Sequence, residues 1–297
     1  PLSVIAEGEN GLTTERTITI EVIDPTTTLE NGGFESGDLF GWTIVEGDAF
    51  SDAGVTDQST YWAENHPFNH EGSYHFHGVL SADESATGIM RSDYFKTDGS
   101  TSGYVSFLMG AANPDQAIRV EIVDAWSGEG KATIKNTHMD ANRYIRHYVD
   151  LSTYGESVYY FRIVDESTES SEFAFVNVDD FITHYEDTPE VPFTVGNSAT
   201  VLKDESFDPS SIIDTVATVP YGALDITMDG TIDTATPGTY PITLNVAYQT
   251  LTQEVQVDVE VIENPYMVTN GGFETGDLTG WSVETGDAFC QAGVVQT

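Results

Sequence analysis

Two places in this 297-residue chain gather side chains able to do chemistry. The first is a set of hard oxygen donors. Residues 176 to 182 (VNVDDFI) alternate as a strand, placing Val176, Val178, Asp180 and Ile182 on one face and Asn177, Asp179 and Phe181 on the other. An aspartate in register with core valines cannot stay ionised without a partner. Glu35 would meet this strand if the first and last strands of the module pair. Glu35 with Asp179 or Asp180, joined by backbone carbonyls near Gly72 and Ser73, makes an oxygen site suited to calcium. The competing reading is that Asp180 caps backbone amides at a sheet end.

The second place is the stretch from Tyr61 to His77. Sugar binding needs flat aromatic faces for the apolar side of a ring and planar polar groups for its hydroxyls. Trp62 is the preferred platform, with Tyr61 beside it and Glu64, Asn65, His66, His75 and His77 as hydroxyl partners. His75 and His77 share one face of a strand, while Tyr74 and Phe76 face the core. The cluster of His66, His70, His75 and His77 also admits a zinc site, or plain hydrogen-bonded surface histidines. No H-E-x-x-H or paired C-x-x-C pattern favours the metal. Trp42 reads as core, Trp126 as a weaker platform, and Asn113, Asp115 and Asp165 as loop residues that join the site or are solvated turns.

The elements that must position these residues follow from composition and repetition. Ten Lys and Arg against 49 Asp and Glu give a net charge of −39, which excludes nucleic acid as the main partner. Such a charge repels itself, and bound divalent cations relieve it, which again points to calcium as a cofactor. Hydrophobic residues at 39% with 11% aromatics are enough for ordinary packed cores. No apolar run approaches the roughly 18 residues of a membrane span. Cys290 is the single cysteine, so no intrachain disulfide forms. The chain opens at Pro1 without a signal-like segment and is expected to be an internal piece of a longer protein.

The segment NGGFESGDLFGWTIVEGDAFSDAGV beginning at Asn31 returns 239 residues later as NGGFETGDLTGWSVETGDAFCQAGV beginning at Asn270. Ungapped, 17 of the 28 residues from Asn270 to Thr297 are identical, so a two-domain unit repeats and is cut at both ends. Cys290 falls on Ser51, so the repeat needs no thiol there. The expected domains are 1–27, the last strands of a preceding small domain; 28–186, a large aromatic module; 187–264, a small Thr/Val/Ile-rich domain; and 265–297, the start of a second large module. Alternation marks strands at Thr17–Ile23, Tyr104–Met109, Ile118–Val123, Val158–Val164 and Phe173–Ile182, and no apolar 3.6 period persists for three turns. The fold class is therefore all-β, built of antiparallel sandwiches.

Asp233, Pro237, Gly238 and Tyr240 of the small domain resemble the D-x-x-x-P-G-x-Y pattern of bacterial immunoglobulin-like surface repeats. In the large module, Asn31 to Glu35, Gly37-Asp38-Leu39, Gly41-Trp42 and Val178 to Phe181 resemble the galactose-binding-like jelly rolls used as carbohydrate-binding modules. PFNHEGSYHFHG from Pro67, SATG at 85–88 and VDES at 164–167 are similar to accessory modules of bacterial family 32 fructan-degrading glycosidases of the levanase type. His77 stands where those relatives carry an aromatic such as Trp. The resemblance implies a jelly-roll sandwich, a structural calcium at the Glu35 and Asp179/Asp180 position, and an extracellular or bacterial cell-surface location.

No catalytic motif accompanies it: the W-M-N-D-P-N-G type motif of family 32 enzymes is absent, as are a nucleophile elbow and a phosphate-binding glycine loop. The expected function is a non-catalytic carbohydrate-binding region whose partner is a polysaccharide, with fructan as a candidate, or a cell-surface glycan; such binding modules are commonly attached to a glycosidase domain elsewhere in a parent chain. The alternative is an adhesin or surface-filament segment in which the sandwiches act as spacers beside neighbouring repeats or filament subunits. A metal-dependent hydrolase is the remote third reading.

Overall fold

A computed structural model describes residues 2–7, 9, 11–18, 22, 24–61, 63–64, 66–110, 116–135, 143–170, 174–263, 272–273 and 278–281. The strands, in chain order, are β1 (Leu2–Glu7), β2 (Thr13–Ile18), β3 (Trp42–Gly47), β4 (Val55–Thr56), β5 (His75–His77), β6 (Gly88–Ser92), β7 (Phe95–Thr97), β8 (Tyr104–Gly110), β9 (Ile118–Asp124) and β10 (Gly130–Ile134). They continue with β11 (Ile145–Asp150), β12 (Ser157–Asp165), β13 (Asn177–Ile182), β14 (Phe193–Val195), β15 (Ser198–Leu202), β16 (Ile213–Thr215), β17 (Asp225–Asp229), β18 (Gly238–Tyr248) and β19 (Leu251–Ile262). The described residues hold a single α-helix, the four residues Gly78–Ser81. No helix among them is long and apolar enough to cross a membrane.

The chain divides into two units. The first comprises Pro1–Pro192 with Val216–Leu224 and Tyr248–Leu251. Its sandwich has one six-stranded sheet, ordered β10-β9-β12-β6-β3 with β7 also on β12, and one five-stranded sheet, ordered β11-β8-β13-β5-β4. All the strand pairs of these two sheets are antiparallel. Every second residue of β6, and of much of β12, is buried, the period-2 signature that the sequence carries. A chain of aromatic rings fills the space between the sheets: Trp42 stacks on Phe34 at 5.2 Å, Phe107 on Phe181 at 5.2 Å and Phe95 on Phe161 at 5.1 Å.

The second unit holds Phe193–Thr215, Asp225–Ala247 and Thr252–Thr297. Its sheets are ordered β14-β16 and β15-β19-β18-β17, with β15 parallel to β19. Val257, Val259 and Val261 alternate inward along β19 against Ile242, Leu244 and Val246 of β18.

The strand expected at Thr17–Ile23 overlaps β2 at Thr17 and Ile18; residues 19–21 and 23 lie outside those described, as do 171–173 before β13. More consequential is a bulge in β13, where the pairing with β8 slips between Asp179 and Ile182 and Asp180 adopts φ 45°. An inserted residue reverses the side-chain alternation. Phe181, expected opposite the valines, therefore joins them in the core, and Asp180, expected among them, is swung outward.

Candidate functional site

Glu35 sits in the turn that precedes β3 and not on a strand. Its carboxylate accepts the backbone N–H of Ser73 at 3.0 Å to both oxygens and that of Tyr74 at 3.0 Å. Gly72 is in the left-handed region at φ 61°, and a Cβ there would fall 2.2 Å from Glu35 Oε1. A Cβ on Gly33 would lie 3.7 Å from Glu35 Cγ and 3.8 Å from Asp179 Oδ1, so both side chains reach the space beside this glycine. Asp179 is fully buried: Oδ2 accepts Glu71 N–H at 2.9 Å, and Oδ1 has no hydrogen-bond partner. Burial pushes its carboxyl up to about 8, because removal from water disfavours the charged form.

The orphaned buried oxygen of Asp179, with the acidic Glu35 side chain nearby, is chemically suited to a hard cation. Glu35, Gly72, Ser73 and Asp179 are thus brought together. Ser73 contributes its amide to Glu35. Asp180 is directed elsewhere, forming an ion pair with Arg146 at 2.6 Å. Among the described residues, no three His, Cys, Asp or Glu side chains gather closely enough to hold a metal by themselves.

The described histidines form no such group either. His75 is fully buried; its ring nitrogens contact Tyr144 Oη at 2.7 Å and the Gln58 carbonyl at 2.8 Å. His77 is 2% exposed, and neither of its ring nitrogens has a hydrogen-bond partner. Burial lowers His75 to about 3 and His77 to about 4, so both rings are neutral at pH 7. The two rings do share the outer face of β5, with Phe76 in the core, but Phe68 from the preceding loop covers them at 4.5 and 5.0 Å. Tyr61 packs on Phe68 and His77. Glu64 and His66 are exposed at the tip of the same loop, closed by the Tyr61 N–H to His66 carbonyl bond at 3.1 Å. Trp62 and Asn65 lie outside the described residues, as do Asn113 and Asp115.

The remaining expectations are placed simply. Trp42 is core, and its indole N–H donates to the Asn31 carbonyl at 3.2 Å. Trp126 is 69% exposed in the β9–β10 turn. Asp165 is buried and accepts Ser167 N–H at 3.1 Å.

A groove of about 530 Å³ opens on the outer face of the five-stranded sheet, and sequence reading did not find it. Asn69, His70, Glu71, Arg146, Tyr148 and Tyr185 are among its walls. Two of its lining residues, Tyr185 and Arg146, are held by a hydrogen-bonded row: Tyr185 Oη meets Ser106 Oγ at 2.7 Å, Arg146 donates to Ser106 Oγ at 3.3 Å, to the Asp180 carbonyl at 3.2 Å and to Asp180 Oδ2 at 2.6 Å. His70 stacks on His75 at 4.7 Å, and its Nδ1 contacts the Glu71 carbonyl at 3.0 Å. The available signal was Arg146 itself, one of only ten basic residues, two positions from Tyr148 and so on the same strand face. The groove thus offers aromatic surface beside a fixed guanidinium, an amide and a carboxylate. Those are the groups that hold a polyhydroxylated ring.

No protein-family model matches the chain, and no curated protein matches it. A solved structure described as TmCBM61 in complex with beta-1,4-galactotriose is similar at a TM-score of 0.32 and 17% identity, over 52% of this chain and 94% of that one.

Proposed function

We propose that the large module is a non-catalytic carbohydrate-binding region of a bacterial extracellular or cell-surface protein, with a polysaccharide as its ligand and calcium as a structural ion. The groove walled by Tyr148, Tyr185, Arg146 and Asn69 carries this reading. Ligand grooves of a few hundred Å³ that combine apolar faces with a few fixed polar groups are the usual form of such sites. The jelly-roll sequence motifs and the levanase-type strings support fructan as the first candidate. The net charge of −39 favours a neutral glycan over an acidic one.

Glu35 and Asp179 would hold the ion, which would supply positive charge to the two carboxylates. Asp179 would then keep its charge although buried against the 69–74 loop, and Glu35 fixes the 72–74 turn through the Ser73 and Tyr74 amides. The repeat of the module's first segment at Asn270 supports multivalent attachment, since linked weak sites gain avidity.

Isothermal titration of the chain with levan, inulin, β-1,4-galactan and β-glucan tests the reading. Binding to one of them that Tyr148→Ala abolishes is the expected result. Silence across the panel, with calcium present, would overturn it.

A further inference from the structure

Two consecutive carboxylates of β13 serve two different places. Asp179 lies in the cation cradle with its Oδ2 on Glu71 N–H. Asp180, swung out by the bulge, holds Arg146, which lines the groove. Bulges re-aim side chains at functional sites, and here one inserted residue fixes both groups at once. The loop from Asn69 to Tyr74 is shared in the same manner. Asn69, His70 and Glu71 line the groove, while the amides of Glu71, Ser73 and Tyr74 are held by Asp179 and Glu35. Cradle and groove therefore have two connections, one through strand β13 and one through this loop.

We propose that the cradle and the groove are energetically coupled: a divalent cation held by Glu35 and Asp179 orders the walls of the groove, with Asp180 as the positioning residue that transmits the effect to Arg146. The groove's ligand in this scheme rests on the carbohydrate reading above. Coupling free energies are reciprocal, so the cation raises affinity for the glycan by the same factor as the glycan raises affinity for the cation. A purely structural ion, remote from the ligand, produces no such factor in the folded protein. Asp179 Oδ1 explains why the cation is needed, since it is a buried oxygen without a partner at the point where the loop meets the strand.

The test uses the whole chain and calcium chloride. Calcium is titrated calorimetrically with and without saturating levan, or whichever polysaccharide of the panel binds, and that polysaccharide is titrated at low and saturating calcium. Equal enhancement in both directions, about tenfold, is expected, and Asp180→Asn should bring it to less than about twofold while calcium still binds. A calcium affinity unchanged by the polysaccharide, and a polysaccharide affinity unchanged by calcium, would overturn the coupling. The wild-type pair of titrations decides this even if the variant does not fold.

A second readout needs no saccharide. Calcium should shift the NMR resonances of the Arg146 guanidinium and the His70 ring as well as the Glu71, Ser73 and Tyr74 amides. Shifts confined to the three amides would overturn the coupling. If no polysaccharide binds, the carbohydrate reading fails by itself, and the Arg146 and His70 resonances still decide whether cradle and groove communicate.

Discussion

Trp281 stacks on Phe273 at 5.3 Å with the ring planes 23° apart, and 239 residues earlier Trp42 stacks on Phe34 at 5.2 Å and 18°. Both phenylalanines have φ 58°, Gly280 and Gly41 have φ 82° and 80°, and each tryptophan N–H donates at 2.9 Å to the leucine three residues before it. The turn is thus a local product of its own sequence. Burial separates the two copies: Trp42 is 7% exposed and also meets Phe181 at 4.9 Å, whereas Trp281 is 46% exposed. Trp42→Ala should cost the first unit about 3–5 kcal/mol, and Trp281→Ala about 0.5 kcal/mol or less. Guanidinium denaturation of the two variants, followed by a probe in the first unit, checks this contrast.

The buried titratable groups give a pH dependence with a turning point. Asp179 is raised to about 8, so the folded state holds this proton where the unfolded chain has released it. Its stabilisation is complete below the unfolded value of 3.8 and is lost as pH rises towards 8. His75 and His77 act in the opposite sense. Their folded values of about 3 and about 4 lie below 6.5, so their stabilisation is present above pH 6.5 and lost as pH falls through those values. Two histidines outweigh one aspartate between pH 4 and 6.5, and above 6.5 the aspartate acts without them. With calcium chelated, the melting temperature should peak near pH 6.5 and decline towards pH 8, a loss of about 2 kcal/mol at roughly 1.4 kcal/mol per pH unit. Saturating calcium should abolish the decline above pH 6.5, because the cation favours the charged carboxylate. A melting temperature that rises steadily to pH 8 in chelator would contradict the assignment.

How much of this was legible in the sequence depends on the range of the contact that decides each feature. Strands β8, β9 and β12 were readable because alternation over seven to nine residues is a local signal. The motifs offered Glu35 with either Asp179 or Asp180, and of these two aspartates only Asp179 lies near the Gly33 turn with Glu35. The bulge at Asp180 was not, since one aspartate with positive φ leaves no mark on composition. The burial of His75 and His77 was also invisible. Period 2 placed them correctly on the face opposite Phe76, but nothing local announced that Phe68 would cover that face, with Leu108 and Tyr144 beside it. The groove escaped for the same reason, as its walls come from residues 69–71, 146–148, 182–185 and 216–218.

The two buried histidines should respond oppositely to the same substitution. His75 bridges Tyr144 and Gln58, so His75→Leu leaves a buried phenol and a carbonyl each short of one partner, at a cost of about 1–3 kcal/mol. His77 has no hydrogen bond to lose and sits among Tyr61, Phe68 and Phe175. His77→Leu removes two buried polar nitrogens at nearly constant volume and should be neutral or stabilising by about 1 kcal/mol. Urea midpoints of the two variants at pH 7 measure the difference, and equal destabilisation would mean that His77 makes a bond through an ordered water.

Gly72 gives the most direct test of the cradle. Its φ of 61° disfavours any Cβ, and the Cβ itself would meet Glu35 Oε1 at 2.2 Å, well inside contact distance. Gly72→Ala must therefore displace either the turn or the Glu35 carboxylate, at about 1–3 kcal/mol for the strained conformation. Moving the carboxylate also releases the Ser73 and Tyr74 amides and withdraws one of the two acidic groups assigned to the cradle. The variant should melt lower than the parent in chelator and should lose most of the rise in melting temperature that calcium gives the parent. Gly128→Ala is the control, since Gly128 has a similar φ of 71° but no atom within 4 Å of its Cβ position. It should lose stability from strain alone and keep the full calcium response, and a Gly72→Ala variant that also kept it would remove Glu35 from the cradle.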